Sequence, residues 1–85
     1  MEIIMIGSHL CQDTLYALYK LKEQNVTINF KNIATDFAVL KEYIKIYTEN
    51  ELYEEVRKNG KLGIPFFQLE DGGYTLNLEE VLEKL

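Results

Sequence analysis

The sequence predicts an α/β domain of order β-α-β-α-β-β-α, a four-stranded mixed sheet with helices on both faces. The apolar run Ile3-Ile4-Met5-Ile6 is stopped at once by Gly7-Ser8, which is the pattern of a strand buried on both faces. A helix-length amphipathic segment separates that run from an alternating one, so the first two strands are joined by the short helical crossover that makes neighbours parallel. Near the C-terminus, Asp71-Gly72-Gly73 joins two further strand-like stretches as an antiparallel hairpin.

Taken in order, residues 2–6 form the central strand. From Thr14 to Gln24, residues Thr14, Ala17, Leu18 and Leu21 fall on one helical face, and Asn25 suits the helix exit. Val26, Ile28 and Phe30 then alternate with Thr27, Asn29 and Lys31, as in a strand half open to solvent. Thr35 or Asp36 can cap a second helix, in which Phe37, Leu40, Ile44 and Tyr47 recur at intervals of three and four. Asn50 can cap a short helix carrying Leu52, Tyr53 and Val56 and ended by Gly60. Tyr43, Ile46, Tyr47 and Tyr53 place apolar material on more than one side of this region, which reads as core plus amphipathic surface or as a dimer or partner patch. The stretch from Ile64 to Leu69 is the third strand and that from Tyr74 to Leu76 the fourth. Asn77, with Glu80 three positions on, resembles a capping box for a last helix from Leu78 to Leu85.

A chain of 85 residues forms one domain, spanning 1–85, whose core is small enough that every apolar segment must be used. A hydrophobic content of 47% with 27% charged residues excludes a disordered or collagen-like chain. One cysteine excludes an internal disulfide, and an unpaired thiol suits a reducing compartment, so the expected location is cytoplasmic. The first apolar run follows Glu2 rather than a basic segment and is too short to be a signal peptide or a membrane span, so no membrane partner is expected. A net charge of -5 with scattered lysines argues against nucleic acid.

Cys11 falls just after the first strand, at the first turn of the first helix. Backbone N–H groups there lack helical partners and the macrodipole is positive, so the position favours a thiolate; Asp13, in the same turn, cancels part of that effect. Thr14, three residues on, lies over the same helix face and can donate its hydroxyl to the sulfur. His9 either pairs with the thiolate or faces solvent. Cys11 and His9 alone lack the four ligands of a closed zinc site.

Cys11-x-x-Thr14 at a strand-to-helix junction, followed much later by Gly63-Ile64-Pro65-Phe66-Phe67 opening a hairpin, resembles the glutaredoxin branch of the thioredoxin-like fold. The likeness is greatest to small bacterial glutaredoxin-related proteins and covers essentially the whole chain. It implies a monothiol glutaredoxin-like thiol–disulfide oxidoreductase acting on glutathione mixed disulfides, with Cys11 as nucleophile and Thr14 and the helix amides stabilising it. It also implies that Pro65 is cis and packs beside Cys11, that the backbone of Ile64 hydrogen-bonds a bound peptide, and that Gln12 is at the substrate. No bound cofactor is implied; glutathione is a co-substrate, and the partner is glutathione or a protein thiol or disulfide, met by a monomer or weak dimer.

The chain departs from the family pattern at several positions. Gln12-Asp13 stands where members commonly have proline and an aromatic residue, and Ser8 stands where they have lysine. The Gly72-Gly73 pair sits in the hairpin turn instead of before the last helix. Lys58 or Lys61 is then the cation available to a glutathione carboxylate. The motif of cluster-sharing monothiol members, glycine and then an aromatic residue after the cysteine, is not present, which argues against an iron–sulfur centre. Thr14 in place of a second cysteine leaves no resolving thiol, so a dithiol cycle is excluded and monothiol exchange remains. The alternative reading is a redox-silent thioredoxin-fold module that binds a peptide or protein in the same groove.

Overall fold

A computed structural model describes every residue from Met1 to Leu85. Its elements are β1 (Glu2–Gly7), α1 (Gln12–Lys22), β2 (Thr27–Asn32), α2 (Phe37–Glu49), a 3-10 turn (Glu51–Tyr53), α3 (Glu54–Lys58), β3 (Phe66–Gln68), β4 (Tyr74–Thr75) and α4 (Leu78–Glu83). The strands form one sheet in the order β2-β1-β3-β4. Strand β1 runs parallel to β2, with Ile3 opposite Ile28, and antiparallel to β3, with Met5 opposite Phe67 and Ile6 opposite Phe66. Strands β3 and β4 are antiparallel. No helix is long and apolar enough to cross a membrane.

Because successive side chains of a strand point to opposite faces, β1 and β3 supply both halves of the core. On one face Ile3, Met5 and Phe67 pack with Ala17 and Leu21 of α1 and Val81 of α4. On the other, Ile6 and Phe66 pack with Tyr43 of α2 and with Tyr53. The hairpin turn follows expectation: Gly72 has φ of 87°, Gly72 N–H donates to the Leu69 carbonyl at 2.9 Å, and the Asp71 carboxylate accepts Gly73 N–H at 2.8 Å.

Several elements differ from the sequence expectation. Helix α1 starts at Gln12 and ends at Lys22 with Glu23 as its cap, so Asn25 lies beyond it. Asp36 rather than Thr35 caps α2, its side chain accepting the Ala38 N–H at 2.9 Å. The face of α2 turned to the core is Val39, Tyr43, Ile46 and Tyr47, whereas Phe37 and Ile44 are 81% and 51% exposed. Both stripes have helical spacing, and the one carrying the two tyrosines reaches the layer formed by Ile6 and Phe66. Strand β3 begins only at Phe66, leaving Ile64 and Pro65 in the segment that leads to it, and β4 ends at Thr75. At α4, Asn77 accepts the Glu79 N–H at 2.9 Å, but no capping box closes. Glu80 accepts the Thr75 hydroxyl at 2.9 Å, and Thr75 in turn accepts the Asn77 N–H at 3.0 Å.

Two expectations test this packing. A Cβ on Gly7 would lie 2.6 Å from Oγ1 and 2.7 Å from Cγ2 of Thr14, which is fully buried. Gly7→Ala therefore destabilises by about 1–3 kcal/mol in denaturant unfolding, and the cost shrinks in a Thr14→Ala background because both close atoms are gone. Undiminished cost in that background would show that the helix contact is not its source.

The second concerns Tyr43, whose phenol is pushed up to about 12 by burial, with the neighbouring Tyr47 adding to the shift. Burial also raises Tyr53. In the unfolded chain both titrate near 10. Below about pH 10 both states keep these protons and the stability they represent is fully present. As pH rises from about 10 toward 12 the unfolded state releases protons that the folded state retains, and stability falls. Unfolding midpoints measured across that window fall more steeply for the wild type than for Tyr43→Phe.

Candidate functional site

The junction between β1 and α1 is a tight turn fixed by its own polar groups. Cys11 N–H donates to the Ser8 carbonyl at 3.0 Å, and Leu10 N–H donates to the Ser8 hydroxyl at 3.0 Å. The Thr14 hydroxyl accepts Ser8 N–H at 3.4 Å. Cys11 is the N-cap of α1, in extended conformation with φ -97° and ψ 121°, and its carbonyl accepts the first helical bond, from Leu15 at 3.1 Å. Capping polarity thus places the half-buried thiol at the positive end of an 11-residue helix. Its sulfur takes no hydrogen bond from the first helical N–H groups.

Cys11 opens onto a groove of about 420 Å³, with Asp13 on its own side and Val56, Lys61, Leu62, Gly63 and Ile64 opposite. A second groove of about 290 Å³ shares Asp13 and Ile64 and continues past Tyr16 and Pro65 to Asn77 and Glu79 at the start of α4. The two together run from the thiol across the approach to β3. Pro65 is buried, and the Ile64–Pro65 peptide is cis. Neither the N–H nor the carbonyl of Ile64 makes an intramolecular hydrogen bond. Such unpaired backbone groups beside a groove are what an extended peptide can pair with.

The residues expected from sequence are distributed unevenly over this cleft. Cys11, Ile64 and Pro65 line it. Gln12 is exposed and lines neither groove. Thr14 is turned toward Gly7 and Ser8 and makes no hydrogen bond to the Cys11 sulfur, because its side chain fills the space that Gly7 leaves open. His9 is held elsewhere, with Nδ1 2.9 Å from the Asn32 side-chain amide nitrogen. Asn32 Oδ1 accepts Ala34 N–H at 2.9 Å, which fixes that amide's orientation and makes its nitrogen the donor. Of the two candidate cations, Lys61 lines the thiol groove and Lys58 does not.

Sequence reasoning missed Asn77 and Glu79 as lining residues. Asn77 carries only a cap signal, and nothing local indicates that the start of α4 lies along the same cleft as Ile64 and Pro65. No protein-family model matches the chain, and neither a curated protein nor a solved structure matches it.

Asp13 and Cys11 face the same groove, so the carboxylate opposes negative charge on sulfur. Asp13→Asn should speed Cys11 alkylation by iodoacetamide at neutral pH by roughly two- to fivefold, the order expected for a screened near-surface charge. An unchanged rate would mean that the charge is not felt at the sulfur.

Proposed function

We propose that this chain is a monothiol glutaredoxin-like thiol–disulfide oxidoreductase that reduces glutathione mixed disulfides through Cys11. The observation that carries the reading is the pairing, across one groove, of a half-buried thiol at the N-cap position of α1 with the unpaired backbone of Ile64. The sheet order, with β1 parallel to β2 and antiparallel to β3, agrees with a thioredoxin-like fold of the glutaredoxin branch. A cytoplasmic, glutathione-containing location fits a lone thiol.

In this reading a mixed disulfide lies along the cleft, its backbone paired with the N–H and carbonyl of Ile64. Lys61 faces a carboxylate of the glutathionyl part. The Cys11 thiolate attacks the glutathione sulfur, forming a Cys11–glutathione disulfide and expelling the other sulfur as a thiolate that takes a proton from water. A second glutathione thiolate then attacks the glutathionyl sulfur, releasing glutathione disulfide and restoring the Cys11 thiolate. Two electrons pass from glutathione to the mixed disulfide, and no second protein thiol is needed.

A redox-silent module that binds a peptide or protein in the same cleft is the second reading. The observation favouring it is that neither the helix N–H groups nor Thr14 hydrogen-bond the sulfur. Assay of the mixed disulfide between glutathione and 2-mercaptoethanol separates the two. The oxidoreductase reading expects a rate well above the uncatalysed one that disappears in Cys11→Ser. A wild-type rate equal to background, at any glutathione concentration, leaves only the binding module.

A further inference from the structure

The wall of the groove facing Cys11 is chain without regular structure, and its hydrogen bonds come from an unexpected source. Between Lys61 and Pro65 the backbone makes one main-chain hydrogen bond, Lys61 N–H to the Val56 carbonyl at 3.0 Å. Two phenols supply the rest. Tyr47 donates to the Lys61 carbonyl at 3.0 Å, and Tyr53 donates to the Gly63 carbonyl at 2.7 Å. We infer that Tyr53, assisted by Tyr47, is a positioning residue that holds this wall so that the backbone of Ile64 meets a substrate bonded to Cys11; the inference rests on the oxidoreductase reading above.

The phenols can serve as fixed posts because they are themselves immobilised. Tyr53 is 0% exposed and packs edge-on against Tyr43 at 6.0 Å between ring centres, and against Phe66 of β3 at 6.1 Å. Tyr47 lies 5.5 Å from Tyr53, and its own carbonyl accepts a hydrogen bond from the Arg57 guanidinium at 2.7 Å. That guanidinium also reaches the Asn50 carbonyl at 3.2 Å, so the end of α2 is tied to α3. Gly63 completes the fit. Its φ is 65°, and a Cβ there would lie 2.6 Å from the Tyr53 ring and 2.9 Å from Val56. The absence of a side chain lets the carbonyl come down onto the phenol. One residue further along is Ile64, whose N–H and carbonyl are free. Its position relative to Cys11 is therefore set from the core, through the Tyr53 hydroxyl.

The cluster also contains its own control. Tyr43 is buried beside Tyr53, but its hydroxyl bonds neither wall carbonyl, which are taken by Tyr47 and Tyr53, so removing that oxygen releases no wall contact. Tyr53→Phe and Tyr43→Phe make the same chemical change a few ångströms apart, and only the first unties the groove.

Steady-state reduction of the glutathione–2-mercaptoethanol mixed disulfide is measured for wild type, Tyr53→Phe and Tyr43→Phe, together with the iodoacetamide rate of Cys11 and the melting temperature of each. The expected result is a KM raised about fivefold in Tyr53→Phe, with kcat and the alkylation rate near wild type, the size expected for one lost hydrogen bond. Tyr43→Phe should leave KM where it is. A lowered melting temperature in Tyr53→Phe with unchanged KM would make the bond purely structural and overturn the inference. Equal KM increases in both variants would overturn it too, by tracing the effect to general loosening of the cluster. Absence of Cys11-dependent activity in the wild type would remove the oxidoreductase reading itself, and this inference with it.

Discussion

Helix α1 begins where it does because nothing stands between it and the end of β1. Gly7 has no side chain, and the buried Thr14 occupies the space, with its oxygen and methyl where a Cβ would be. That contact fixes the distance from the strand end to the first helical turn, and the three residues after Ser8 must close the gap. They do so through the Ser8 carbonyl and hydroxyl, which accept Cys11 N–H and Leu10 N–H. Cys11 is thereby placed at the cap position, its carbonyl accepting the first helical bond while its thiol makes none. A bulkier residue at position 7 would push the helix start away and take Cys11 with it.

The two sides of the sheet solve different problems. Beneath α1 and α4 the core is largely aliphatic, as suits helices lying flat against a strand. Beneath α2 and α3 the chain is less regular, and the segment from Lys61 to Pro65 returns with carbonyls that no strand satisfies. Tyrosines fit that side because each brings a large apolar ring and a donor at its tip. Tyr53 and Tyr47 use both properties. Tyr43 serves chiefly through its ring, and burial, with Tyr47 nearby, is what makes ionising it unfavourable.

How much of this is legible in the sequence depends on whether a signal is local. Strand β1, the hairpin turn at Gly72 and the position of Cys11 at the start of a helix are legible, since each rests on a few adjacent residues. The inward face of α2 is not, because Phe37, Leu40 and Ile44 satisfy helical spacing as well as Val39, Tyr43 and Ile46 do. The choice is made by what α2 lies against. Thr14 is legible as a residue on the buried face of α1 but not as a partner of Gly7, since that depends on how closely helix and strand approach. Cys11 and Ile64 are legible as separate candidates. The cleft joining them, with Lys61 on one side and Asn77 and Glu79 further along, is a property of tertiary structure that no window of sequence contains.

The antiparallel pairing of β1 with β3 brings the chain after position 60 alongside the strand that leads to Cys11. Closing so long a loop is slow compared with forming α1 or the β3–β4 hairpin, and the contacts that reward it arrive together. Along the chain the thiol therefore comes well before the wall that opposes it. The cysteine lies on one side of that long closure and Ile64 on the other, so the cleft is a product of the completed sheet and of no shorter stretch of chain.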